Sequence, residues 1–76
     1  MEINDFIKNL ADIFDDTPLE EFSPETRFHE IEEWSSLHAL AALNMLEIKY
    51  SVKVNPNDMA KATTVQDLFN LVNSKK

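Results

Sequence analysis

Neither cysteine nor glycine occurs anywhere in this chain of 76 residues. Without cysteine, no disulfide frame or thiolate zinc site can hold so short a polypeptide together, so its stability must come from packing apolar helix faces. A chain of this length buries only about 60 to 65 % of the surface its unfolded form exposes. That leaves little room for a core and an elaborate catalytic cleft together. The absence of cysteine also fits a reducing compartment, and the expected location is cytoplasmic.

The apolar spacing predicts where the helices lie. Ile3, Phe6, Ile7, Leu10, Ile13 and Phe14 recur every three or four residues with Glu2, Asp5, Lys8, Asn9 and Asp12 between them, which is a one-sided amphipathic helix. It is expected to end near Asp15 and Asp16, because Thr17-Pro18 disfavours continuation. From there to Trp34 no period is sustained, but Leu19, Phe22, Phe28, Ile31 and Trp34 stand as isolated apolar anchors. This predicts a long ordered loop pinned to the core, with a short helical turn at 19–22.

Ser35 suits the N-cap of a second helix running from Ser36 to about Tyr50, its hydroxyl accepting from a first-turn N–H. Val52 and Val54 alternate with polar residues but have no partner strand, which leaves an extended linker. Asn55, Pro56 and Asp58 open a short third helix. Thr64 and Asp67 form a capping box ahead of Val65, Leu68, Phe69 and Val72. The expected fold is all-α: a single domain over residues 1–76, with three longer helices, one short helix and a long loop between the first two.

The net charge of −7 argues against nucleic acid, whose binding draws on clustered Lys and Arg. The charge is unevenly placed. Residues 1–33 hold eleven acids against Lys8 and Arg27, a net −9, whereas residues 34–76 hold three acids against five lysines, a net +2. No apolar run approaches the roughly 20 residues of a membrane span, and no positively charged start precedes an apolar stretch.

Candidate chemistry is sparse. Ser36 and His38, two apart on a helix, point about 200° away from each other, so that imidazole does not reach that hydroxyl. A Ser-His hydrolase would need His29 instead, with no glycine to build a nucleophile elbow. His29 with Glu30, Glu32 and Glu33 matches no familiar metal-ligand spacing, so no metal site is expected. A phosphoester on Ser36, by contrast, would lie where free N–H groups and the positive end of the helix dipole favour negative charge.

Several features then combine: small size, acidity and a long loop after the first helix; Phe28 eight residues before Ser36; Ser36-Leu37 opening the second helix; and "ATTVQDLF" at 62–69. Together they resemble the acyl carrier protein family over essentially the whole chain. The resemblance implies that Ser36 receives a 4′-phosphopantetheine arm from coenzyme A, installed by a phosphopantetheinyl transferase, with acyl or aminoacyl cargo held as a thioester on the arm. It implies a monomeric carrier and not an enzyme, working with separate loading and transfer enzymes of a lipid, polyketide or other specialised pathway. The chain departs from the family at Ser35, where Asp is usual, and at Glu33 and Trp34, where glycine and a small residue are common. An unmodified helical adaptor of the same fold is the alternative.

On the second helix, Ala39, Ala42, Leu43, Leu46 and Tyr50 are expected inside. The opposite side then carries Leu37, Ala41, Met45 and Ile48, a nearly uncharged stripe expected to bind partners by apolar contact. Charge steering would come from the acidic loop, Glu20 to Glu33. Phe28, Leu43, Leu46, Met59, Leu68 and Phe69 are large enough to fill the space between the helices, which favours a short or polar cargo, or one left outside.

Overall fold

The computed structural model describes residues 2–75. Helix α1 runs Ile3–Ala11, α2 Ser36–Tyr50, α3 Pro56–Lys61 and α4 Val65–Ser74, and the described residues contain no strand. The expected all-α architecture of three longer helices and one short one is therefore present.

Helix α1 places Asp5 in its first turn and Lys8 in its last, each complementing the helix dipole, and it buries Phe6, Ile7, Leu10 and Ala11. It stops four residues short of the expected end. The N–H groups of Ile13 and Phe14 donate to the carbonyls of Leu10 (3.2 Å) and Ala11 (3.0 Å), so the chain tightens into i→i−3 turns and leaves the helix. Ile13 and Phe14 keep packing against the core from this turn.

The connection to α2 contains two short 3-10 turns, Leu19–Glu21 and Phe28–Glu30. Phe22 and Phe28 are buried, while Ile31 and Trp34 are partly buried against the core. Leu19, expected as an anchor, is instead 45 % exposed on the outer side of its turn. The loop is held from within by Thr26, whose hydroxyl accepts from Ser23 N–H (2.9 Å) and donates to the Glu21 carbonyl (3.1 Å). It is held from outside by α4, whose first-turn N–H groups at Val65 and Gln66 donate to the carbonyls of Thr26 (3.0 Å) and Pro24 (2.9 Å). Two donors that a helix start always leaves without an internal partner are thus satisfied by the loop.

Helix α2 ends at Ser51, the only non-glycine residue with positive φ among the described residues (φ 57°, ψ 35°). Val52 and Val54 then lie in a segment without helix or strand, both side chains buried. Asn55 caps α3, its side-chain oxygen accepting from Asp58 N–H at 2.8 Å. Thr64 and Asp67 form the expected reciprocal capping box at the start of α4. α1 packs on α2 and α4, and α2 on α3. Phe6, Leu10, Phe28, Leu46, Val65, Leu68 and Val72 form the solvent-free centre. Phe6 lies 5.7 Å from Tyr50 and 5.4 Å edge-on to Phe69, centroid to centroid.

Candidate functional site

Two adjacent serines at the start of α2 have different environments. Ser35 takes an extended backbone (φ −150°, ψ 176°), and its carbonyl accepts the first helical hydrogen bond, from Ala39 N–H at 3.0 Å. Its hydroxyl accepts from His38 N–H at 3.4 Å, a long N-cap contact. Ser36, the first residue inside the helix, is exposed, and its hydroxyl makes no side-chain hydrogen bond among the described residues. It stands beside first-turn N–H groups that have no carbonyl behind them, a setting that favours an attached anion.

Immediately before the helix, Glu33 turns inward. Its carboxylate accepts from Asp15 N–H (2.7 Å), Asp16 N–H (3.0 Å) and the Thr17 hydroxyl (2.7 Å), which ties the turn after α1 to the start of α2. The Nε2 of His38 lies 3.3 Å from the same carboxylate, both side chains being about one-sixth exposed. Burial raises the carboxyl pKa, but the bonds from Thr17, Asp15, Asp16 and His38 outweigh it and hold the group at about 2. Glu33 is therefore a carboxylate throughout the physiological range.

The other nitrogen of His38, Nδ1, lies 2.8 Å from the Ser35 hydroxyl. A carboxylate can only accept, so Nε2 carries a proton; whenever the ring is neutral, Nδ1 is left as its acceptor and the Ser35 hydroxyl donates to it. The imidazole is kept in place by Phe14, 4.9 Å away, and Trp34, 6.3 Å away. Trp34 also contacts Phe28 and His29, which makes it the expected loop anchor. The sequence reading correctly kept His38 from Ser36. It missed that three residues around a helix start bring His38 to Ser35, and that Glu33 is within reach.

The outer surface of α2 is apolar. Leu37, Leu40 and Ile48 are 77, 65 and 71 % exposed, and Ala41 is half-buried between them. Met45, expected on this stripe, is instead buried at 7 % exposure as part of the core. Met45 belongs to the buried core cluster, against which Ile13 also packs, and its edge lines a surface groove with Asn9, Ile13 and Ala41, so a flexible unbranched side chain fills the space between α1 and α2. Leu40, one turn before Asn44, takes the exposed position. A shallow depression lined by Leu37, Leu40, Ala41 and Asn44 marks the N-terminal half of this surface.

The acidic loop borders an open depression of about 780 Å³ lined by Asp16, Glu21, Glu25, Glu30, Glu32 and Glu33 together with Arg27. Glu33, counted among the steering acids, is committed to the turn after α1. His29 is also committed: its Nε2 donates to the carbonyls of Met59 (3.2 Å) and Ala62 (3.0 Å), fastening the loop to α3. No group of three or more His, Asp or Glu side chains is disposed to hold a metal ion among the described residues. No helix among them is long and apolar enough to cross a membrane. Phe28, Leu46, Met59 and Leu68, considered for a cargo cavity, are packed inside the core at 2 % exposure or less. No protein-family model matches the chain, and no curated protein is significantly similar to it in sequence.

Proposed function

We propose that this protein is a carrier of the acyl carrier type, in which Ser36 bears a 4′-phosphopantetheine arm that holds acyl or aminoacyl cargo as a thioester for separate enzymes. The observation that carries the reading is the pairing at the head of α2: Ser35 is engaged in the cap and with His38, while the Ser36 hydroxyl stands exposed and unbonded at the first helical position. A phosphodiester there fits the donors and dipole of the helix start. When bound, the arm supplies a thiol that the cysteine-free chain lacks.

The chain's own contribution is positional. The cap and the Glu33 clasp fix the direction in which Ser36 leaves the helix, and the loop carbonyls bonded to α4 hold the surrounding surface in place. Leu37, Leu40, Ala41 and Ile48 offer a neutral surface on which a transferase or loading enzyme docks by apolar contact. The remaining loop acids favour partners with a basic rim. The protein acts as a cytoplasmic monomer, a carrier and not a catalyst of its pathway.

The test is intact mass after incubation with coenzyme A and a panel of phosphopantetheinyl transferases. The expected result is a gain of one phosphopantetheine unit, abolished in Ser36→Ala and retained in Ser35→Ala. No gain with any transferase overturns the reading in favour of an unmodified adaptor, for which Ser35 in the usual Asp position is the motivating feature.

A further inference from the structure

The arrangement of Glu33, His38 and Ser35 does more than cap a helix. With the imidazole neutral its hydrogen bonds run in one direction: the Glu33 carboxylate accepts from Nε2–H, and the opposite ring nitrogen, 2.8 Å from the Ser35 hydroxyl, is free to accept from it. A cap requires only a hydroxyl oxygen as acceptor, so neither the imidazole nor the carboxylate behind it is needed for that role. Among the polar groups that touch the His38 side chain, Glu33 is the charged one, and Phe14 and Trp34 cover the ring. Ser35 itself is exposed. The sequence of base, orienting carboxylate and accessible hydroxyl has the roles of a nucleophile relay, which are recognised by geometry and not by chain order.

We propose that Ser35 is a covalent acyl-accepting site, activated by His38 and positioned by Glu33, that takes an acyl group from an activated ester or thioester. In the step, Ser35 Oγ forms a bond to the acyl carbon while its proton passes to His38 Nδ1. The bond from that carbon to the leaving thiolate or phenolate then breaks, and the proton passes from Nδ1 to the leaving group, so the products are O-acyl-Ser35 and a free thiol or phenol. The N–H groups of Ser36 and Leu37, which lack helical carbonyl partners, are the adjacent donors for the oxyanion. His38 is the base that touches the nucleophile; Glu33 acts through His38 as a positioning residue. The site is chemically separate from an arm on Ser36, so it stands or falls independently of the carrier reading.

The experiment uses the unmodified full chain and p-nitrophenyl acetate, following p-nitrophenolate release together with intact mass and fragment mapping. The expected result is p-nitrophenolate release accompanied by one acetyl group on Ser35, or by its turnover if the ester hydrolyses. His38→Ala is expected to slow release by about 10²-fold, the lower end of what a positioned base contributes. Added imidazole is expected to restore acetylation of Ser35 in His38→Ala, and release above that of imidazole and ester without protein, a response that loss of a merely structural contact does not give. Melting curves verify that the variant is folded. Acetylation confined to lysines or to Ser36, release equal in wild type and His38→Ala, or a folded His38→Ala that imidazole does not rescue each overturns the proposal.

Discussion

Helices α1 and α2 lie side by side and use apolar residues in opposite ways. α1 has a clean division, with Phe6, Ile7, Leu10 and Ala11 buried and its charges at the surface. α2 is apolar nearly all the way round; it buries Ala42, Met45 and Leu46 while leaving Leu37, Leu40 and Ile48 in water. Propensity and core packing account for the first helix completely. They do not account for three large exposed side chains on the second, and an exposed apolar surface of that kind marks an interaction site.

The sharpest way to break the comparison is at the centre of α1. Phe6→Ala removes a solvent-free ring with two aromatic neighbours and is expected to cost about 3 to 5 kcal/mol, which is measurable by urea denaturation and is a large part of the stability of so small a domain. On α2, Met45→Ala is expected to cost about 2 to 5 kcal/mol, as befits a core residue. A cost near zero in the same titration would return Met45 to the outer stripe.

The junction between the helices gives a smaller, pH-dependent effect. Glu33 has a folded pKa of about 2 against an ordinary value of 4.5. Its stabilisation is therefore fully present above pH 4.5 and disappears as pH falls from there through 2. Glu33→Gln is expected to be less stable than wild type at neutral pH, with the two converging at the acid end of that window in urea titrations. Smallest in stability is Ile48→Glu, expected to stay within about 0.5 kcal/mol of wild type while, on the carrier function proposed above, reducing loading by its partner enzymes. The same holds for Ala41→Glu in the loading assay, and unchanged loading in both would remove the docking role from α2.

What the sequence made legible followed from local rules. Ser35, Asn55 with Pro56, and Thr64 with Asp67 all mark helix starts correctly, because capping acts over three residues. The end of α1 was misjudged because Ile13 and Phe14 continue the helical spacing while the backbone tightens beneath them. Met45 was misplaced for a related reason: a helix apolar on every side offers no wheel from which to choose an inside. The Glu33 clasp was not legible at all, since its partners lie 16 to 18 residues earlier in the chain. The proximity of His38 to Ser35 is the one part of the site carried by local spacing, three residues across a helix start.

Ser51 shows how a chain turns without glycine. Left-handed backbone costs a non-glycine residue roughly 1 to 2 kcal/mol, and among the described residues the chain incurs this once, where α2 gives way to the segment of Val52 and Val54. The other bends among the described residues are made without positive φ, several of them at prolines and 3-10 turns. The compensation lies in the denatured ensemble, which contains none of the glycine freedom that folding would have to remove. Part of this small protein's stability therefore resides in the limited number of conformations open to it when unfolded.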